Sequence, residues 1–174
     1  MADGSLQMNQ MQQFAPDAES ARDLRHAMGK FGTGVTVITA MTDAGPIGMT
    51  ANSFSSVSLD PALVLWCPAK SSGRYAHFIG AKHFAIHVMG VEHADIAMGF
   101  ARSGAAFDGL DIAVNAQGVP LLGQCLARFE CETQDIHDAG DHSIVVAQVH
   151  QAAFREGDAL IFCEGRFGQF DKDV

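Results

Sequence analysis

Charge is scarce in this chain. Asp, Glu, Lys and Arg make up only 18% of its 174 residues, against 48% apolar residues. What charge there is leans one way, with 20 acidic and 11 basic side chains and a formal net charge of −9. An acidic surface repels phosphate backbones and anionic headgroups, so neither nucleic acid nor a membrane surface is expected as a partner. Long apolar runs are also missing. None reaches the roughly 18 residues that a spanning helix needs. No basic start followed by an apolar core opens the chain, so a cytoplasmic location is expected. The four cysteines, Cys67, Cys125, Cys131 and Cys163, form no C-x-x-C pair. They read as small buried hydrophobes in a reducing compartment rather than as a disulfide framework.

Several chemistries lack their motifs. There is no G-x-S-x-G elbow, no P-loop and no H-E-x-x-H. No G-x-G-x-x-G follows a strand, so a nicotinamide nucleotide would have to bind outside a Rossmann site. His137, Asp138, Asp141 and His142 are close in sequence, and His83 and His87 share one strand face. No spacing matches a closed zinc site, and no metal is expected.

The length suits one domain with a sizeable core. A low charged fraction implies surface covered by a partner, and a homodimer is the commonest such arrangement. Residues 1–19 show no sustained period and are expected to form a mobile tail before a domain over 20–170. Ser20 with Asp23 has the spacing of a capping box, and Leu24 with Met28 starts a helical stripe that Gly29 and Gly32-Thr33-Gly34 end. Val35 to Thr39 is β-branched throughout and predicts a strand. Asp43 to Pro46 is a turn. Further strands are expected at Leu63–Cys67, Phe84–Met89, Arg128–Glu132, Ile144–Val149 and Ala159–Cys163. Helices are expected at Ser72–Ile79, capped by Ser71 or Ser72, and at Glu92–Ala101. Six or more strands with turn-like separators predict a mainly β chain, an antiparallel barrel or sandwich.

One stretch stands out. Gly48-Met49-Thr50-Ala51-Asn52-Ser53-Phe54-Ser55-Ser56-Val57-Ser58-Leu59-Asp60-Pro61 is dense in small and hydroxyl residues, yet lies between apolar runs. Such a segment lines up amides, hydroxyls and a carboxamide against a polar ligand edge, although a polar edge strand with a turn would look similar. Lys70-Ser71-Ser72-Gly73-Arg74 at an expected helix start could bind an anion or be an ordinary cap with solvated charges. His142, after Gly140-Asp141, could contact a ligand or cap a turn.

The order of these parts resembles the short-chain flavin reductases that serve two-component monooxygenases. Phe31-Gly32-Thr33-Gly34-Val35-Thr36-Val37-Ile38-Thr39 comes first, then Gly48 to Pro61 and Leu63-Val64-Leu65. Phe84 to Met89, Phe100-Ala101, Phe107, Pro120-Leu121, Gly140-Asp141-His142 and Leu160-Ile161-Phe162 follow. Ala62 departs from the pattern, since many relatives carry a second proline after Pro61, and the segment between Val149 and Ala159 is short.

The resemblance implies a split β-barrel, a homodimer, and reduction of FMN or FAD by NADH, with NADPH possible. Reduced flavin would pass to a separate monooxygenase. A non-catalytic flavin-binding protein and an oxidase-type enzyme on the same scaffold are the alternatives. The implied flavin contacts are Pro46, Ile47, Gly48, Met49, Thr50, Ala51, Asn52 and Ser53, then Cys67, Pro68, Ala69, Lys70, Ser72, Gly73 and Arg74, then Gly99 and Phe100. His142, Phe162, Cys163, Glu164 and Gly165 would meet the nicotinamide, with His142 positioning it for hydride transfer. Acidic Glu164 there would repel a 2′-phosphate and favour NADH.

Overall fold

The computed structural model describes residues 11–171. Twelve strands and three helices follow in the order α1 (Ala21–Gly29), β1 (Thr33–Gly34), β2 (Thr36–Thr42), β3 (Gly45–Ala51), β4 (Ser55–Leu59), β5 (Ala62–Trp66), α2 (Tyr75–Gly80), β6 (His83–Val88), α3 (Ala94–Arg102), β7 (Ile112–Val114), β8 (Pro120–Leu122), β9 (Ala127–Ala139), β10 (His142–Phe154), β11 (Leu160–Cys163) and β12 (Arg166–Gln169). Seven strands form one antiparallel sheet in the order β3-β2-β6-β9-β10-β5-β4. The outermost strands, β3 and β4, are consecutive in the chain and joined only by Asn52-Ser53-Phe54. That short link brings the two edges of the sheet together at one end without hydrogen-bonding them along their length. The result is a barrel left open along one seam, and the signature stretch straddles the seam.

The interior follows from side-chain alternation. Ile38 and Ala40 of β2 point inward, where they meet Met49, Val64, Trp66, Phe84, Ile86, Val145 and Ala147 from the other strands. Phe78 of α2 closes one end, its ring T-shaped against Trp66 at 5.4 Å. Val37 points to the opposite face, into a second cluster with Met89, Ala97, Phe100, Leu122 and Leu160. β2 is buried on both sides, which is why its sequence reads as an unbroken β-branched run rather than as alternating apolar and polar residues.

Several boundaries differ from expectation. α1 begins after Ser20, but the capping box does not form: the Ser20 hydroxyl bonds to Asp17 and Ala15, while Gln12 donates to Asp23. α2 starts at Tyr75, three residues later than the serines suggested, with Arg74 at the N-cap position. Ser72 accepts from the Arg74 amide at 3.3 Å in the turn before it. The expected tail lies partly outside the described residues; residues 11–19 carry no regular structure.

His87, which shares a strand face with His83, is fully buried in β6. Its Nδ1–H donates to the Val37 carbonyl at 3.0 Å and its Nε2 accepts from the Leu122 amide at 3.0 Å. Both ring nitrogens are thereby used in the neutral form, tying β8 across β6 and β2. Burial pushes its pKa down to about 4.

Candidate functional site

The seam and two neighbouring loops form one connected structure. β3 pairs only with β2, so its other edge is open. The Gly48 amide points to that edge, where it meets the Gly104 carbonyl at 2.8 Å. Alternation along the strand puts the Thr50 amide on the same edge. Just beyond, Asn52 is exposed and its carboxamide makes no hydrogen bond among the described residues. Ser53 behaves differently. Its hydroxyl accepts from the Cys67 amide at 2.9 Å and donates to the Cys67 carbonyl at 3.3 Å. It ties the signature to the loop that follows β5. Thr50 turns its hydroxyl to the Ala97 carbonyl of α3 at 2.5 Å. Of the polar side chains expected to meet a ligand here, Asn52 remains available, while Thr50 and Ser53 hold the scaffold.

The loop after Cys67 runs straight to His142. The Ser143 amide donates to Pro68, and Ala69 and His142 form an antiparallel bridge. The Lys70 amide donates to Asp141, and its ammonium donates to Asp138 and to the Gly140 carbonyl, both at 2.6 Å. Tyr75 and Ser143 share a hydroxyl hydrogen bond of 2.7 Å. His142 itself is 40% exposed, with Nδ1 bonded to Asp141 at 2.8 Å. That carboxylate makes Nδ1 the protonated nitrogen and leaves Nε2 without a partner among the described residues. The same bond holds the Asp141 carboxyl below its ordinary range, and Lys70 does so for Asp138. Tyr75 was absent from the sequence expectations, and Asp138 and Asp141 entered them only as a tested metal cluster and, for Asp141, as part of the Gly140-Asp141-His142 motif. The only signal for them was adjacency to Gly140 and His142 or to the Lys70–Arg74 cluster.

Arg74 is the main correction. It was expected to face a phosphate. Its guanidinium instead donates to the carbonyls of Gly48 at 3.1 Å, Phe100 at 2.5 Å and Ala101 at 3.1 Å. Two of those carbonyls are in the last turn of α3, so Arg74 satisfies open helix acceptors and pins α3 to β3. Partial burial lowers its pKa, as desolvation of a cation must. Phe100 is fully enclosed, with its ring T-shaped on Phe107 at 4.8 Å, so that ring is not open to a ligand. A Cβ on Gly48 would collide with it, which explains why a glycine stands there. Gly99 packs beside Ala106 in the same knot. Pro46 and Ile47 lie on β3, and Met49 is buried in the barrel core. Burial raises the Cys67 thiol, leaving it protonated and unreactive.

The residues expected at the nicotinamide fall into two groups. His142 belongs to the hairpin tip against residues 68–75. Phe162, Glu164 and Gly165 instead line a recess of about 320 Å³ with Arg22, Arg25 and His26 of α1. Glu164 and Gly165 form the two-residue turn between β11 and β12, with φ of 49° and 77°. Both positive values mark a type I′ hairpin. Glu164 pairs with Lys30, and its amide donates to Gly29 at 2.9 Å. The carboxylate read as a repeller of a 2′-phosphate is therefore already neutralised. Cys163 directs its sulfur to the Gly29 carbonyl at 3.6 Å.

Residues 28–171 match the flavin reductase like domain. The chain belongs to that family. It is 55% identical over 159 residues to an FMN reductase (NADH), SmoA, of Agrobacterium fabrum, covering 91% of each chain. It is 45% identical to the stachydrine N-demethylase reductase subunit Stc3 of Rhizobium meliloti, covering 91% of this chain and 69% of that one. A probable flavin reductase of Rhizobium meliloti is longer: the chain spans only 42% of its length, at 48% identity. Among solved structures, the Streptomyces globisporus NADH:FAD oxidoreductase SgcE6, in complex with NAD and FAD fragments, superposes with a TM-score of 0.84 at 34% identity. That alignment covers 93% of this chain and 99% of the other.

The residues present fit a flavin. The Thr50 amide on the unpaired β3 edge and the free Asn52 carboxamide offer donors and an acceptor to a pyrimidine edge. Among the described residues no group of three or more His, Cys, Asp or Glu side chains is placed to hold a metal ion.

Proposed function

We propose that the protein is an NADH-dependent flavin reductase that reduces FMN or FAD and hands the reduced flavin to a separate monooxygenase. The observation that carries this is the bonded path from the signature strand through the Cys67–Arg74 loop to His142. It sets an open polar strand edge beside a histidine whose ring is held by one carboxylate. Flavin, when bound, supplies the hydride-accepting centre. The chain's residues bind and orient it. The β3 edge and Asn52 take the pyrimidine side, with Ala51, Pro68 and Ala69 walling the seam. His142 orients the nicotinamide through the unpartnered Nε2. Lys70, Ser72 and Gly73 form the anion-binding end of the site, with Arg74 behind them as the group that fixes α3.

NADH rather than NADPH is the proposed donor because the similar reductases carry NADH in their names; Glu164, paired with Lys30, adds nothing to that choice. The working unit is a homodimer. Leu59 at 96%, Phe154 at 85% and Phe31 at 78% exposure are large apolar side chains that a second copy could cover. Among the described residues no helix is long and apolar enough to cross a membrane, and a cytoplasmic location is proposed. The test is to mix purified protein, NADH and FMN or FAD and follow NADH absorbance. Steady consumption supports the reductase. Flavin binding without turnover would replace it with the non-catalytic reading, and light scattering of the same sample reads the dimer.

A further inference from the structure

The recess between α1 and the β11–β12 turn has a character unlike the rest of the molecule. The chain carries a net charge of −9, yet four of its 11 Lys and Arg residues, Arg22, Arg25, Lys30 and Arg166, gather here. Lys30 is occupied by Glu164, whose carboxyl it holds below the ordinary range, and His26 and Arg166 act on Glu164 in the same direction. Arg22 and Arg25 are not occupied. Neither guanidinium has an ion pair or hydrogen bond among the described residues, and both line the recess. Arg22, Arg25 and His26 recur at the i, i+3, i+4 spacing that places them on one face of α1. Phe162 also lines it, half-buried and T-shaped on Phe167 at 5.7 Å. Two free guanidiniums and an aromatic side chain lining one recess suit a phosphorylated aromatic ligand, because guanidinium binds phosphate in a bidentate fork and a ring face accepts a base.

Its position fits the same chemistry. Thr33 of β1 lies opposite Phe162, and three residues later Thr36 of β2 lies opposite Ala51 of the signature strand. Three residues of extended chain span about 10 Å. The recess is thus a short step along one continuous segment from the end of the signature strand. We propose that it binds the diphosphate–adenosine end of a dinucleotide, with Arg22 and Arg25 on the phosphates and Phe162 against the adenine. The inference rests on the reductase reading above. It moves Phe162, Glu164 and Gly165 from the nicotinamide ring to the far end of the nucleotide. NADH and FAD share this diphosphate–adenosine group, whereas FMN lacks it.

The experiment uses the full chain and R22Q/R25Q, both exposed positions whose loss leaves no described bond broken. ADP is titrated calorimetrically into each. NADH oxidation is then measured with FMN as acceptor, and FAD and FMN affinities are compared. Wild type should bind ADP, and the double variant should lose about tenfold or more of that affinity, in keeping with two charge-assisted contacts. If NADH is the occupant, its KM with FMN rises by a similar factor while FMN affinity holds. If FAD is the occupant, FAD affinity falls relative to FMN and the NADH KM stays. ADP that does not bind wild type, or a variant with unchanged ADP affinity, NADH KM and FAD affinity, overturns the proposal. Absence of NADH oxidation in wild type with either flavin would instead overturn the reductase reading, and the ADP titration would still report on the recess.

Discussion

Arg74 and Arg22 both stand beside a site, yet they behave in opposite ways. Arg74 is partly buried and bonded to three carbonyls of β3 and α3. Arg22 is exposed on a helix with no buried residue and has no partner among the described residues. The contrast extends to their surroundings. The β3–α3 knot encloses Phe100 completely, and its polar groups satisfy one another. Around α1 and the β11–β12 turn the side chains are open, and the one acidic residue lining the recess is paired while the cations there outnumber it. Binding a nucleotide calls for both kinds of region. A fixed edge supplies aligned donors at no reorganisation cost, whereas a charged rim supplies attraction and can be altered with little effect on folding.

The largest effect should come from breaking the knot. Phe100→Ala removes a fully buried ring together with its T-shaped contact to Phe107, and should cost about 3–5 kcal/mol in urea unfolding. Phe167→Ala, whose ring is 36% exposed on the open side, should cost about 1 kcal/mol or less. Equal losses at the two positions would erase the distinction between a packed scaffold and an open rim.

Acid should find the packed side next. Folded His87 titrates at about 4, below the roughly 6.5 of an unfolded chain. Between those values the unfolded state binds more protons, so stability is intact above about pH 6.5, falls as pH drops through the window, and levels off below the folded value. The loss should total about 3 kcal/mol across it. H87Q should flatten that part of the stability–pH curve whatever its stability at neutral pH. A wild-type curve with no slope between pH 6.5 and 4 would mean that the ring is not held neutral between Val37 and Leu122.

Asn52 and Ser53 allow the comparison to be made within adjacent residues. Asn52→Ala should leave thermal stability near wild type and reduce flavin affinity about tenfold, since it removes a free carboxamide from the ligand edge. Ser53→Ala should do the reverse, costing about 1 kcal/mol of stability because the Cys67 amide and carbonyl lose their partner. Measuring flavin dissociation constants and melting temperatures on both single variants separates the roles. Matching phenotypes would mean that the two residues act alike.

That pair also shows how much the sequence could reveal. The β-branched run of β2 and the alternation in β6, β9 and β10 marked the barrel strands, because side-chain period reports burial directly. β7, β8 and β12, at three or four residues each, are too short to show a period and were not expected. The signature stretch stood out as a candidate because its polar density had no place in a barrel wall. Which of its side chains face a ligand was not visible. A hydroxyl turns to whichever backbone group lacks a partner, and those groups, Ala97 and Cys67, lie 47 and 14 residues away. The bonds of Arg74 were hidden for the same reason: its carbonyl partners come from β3 and α3, which nothing near residue 74 announces. The α1 cations stand at i, i+3 and i+4 in the sequence, but no expectation was drawn from them. Their meaning required the β11–β12 turn to arrive opposite.

The smallest effect tests the open side at its turn. Glu164 adopts φ 49°, a left-handed conformation that glycine reaches without a Cβ penalty. Glu164→Gly removes that strain and also removes the pair with Lys30. The first change stabilises the turn, although glycine's extra freedom in the unfolded chain offsets part of it. The second change destabilises only as far as an exposed ion pair contributes, which salt screens. The two terms oppose each other, so at low salt the melting temperature should move by no more than about 2 °C. Raising the salt weakens the pair in wild type and leaves the variant untouched, so the difference should shift in the variant's favour. A variant that loses stability equally at low and high salt would show that Glu164 holds the turn through something other than its charge. Freed of its partner, Lys30 would join Arg22 and Arg25 as a third open cation, and ADP affinity should rise in the same variant.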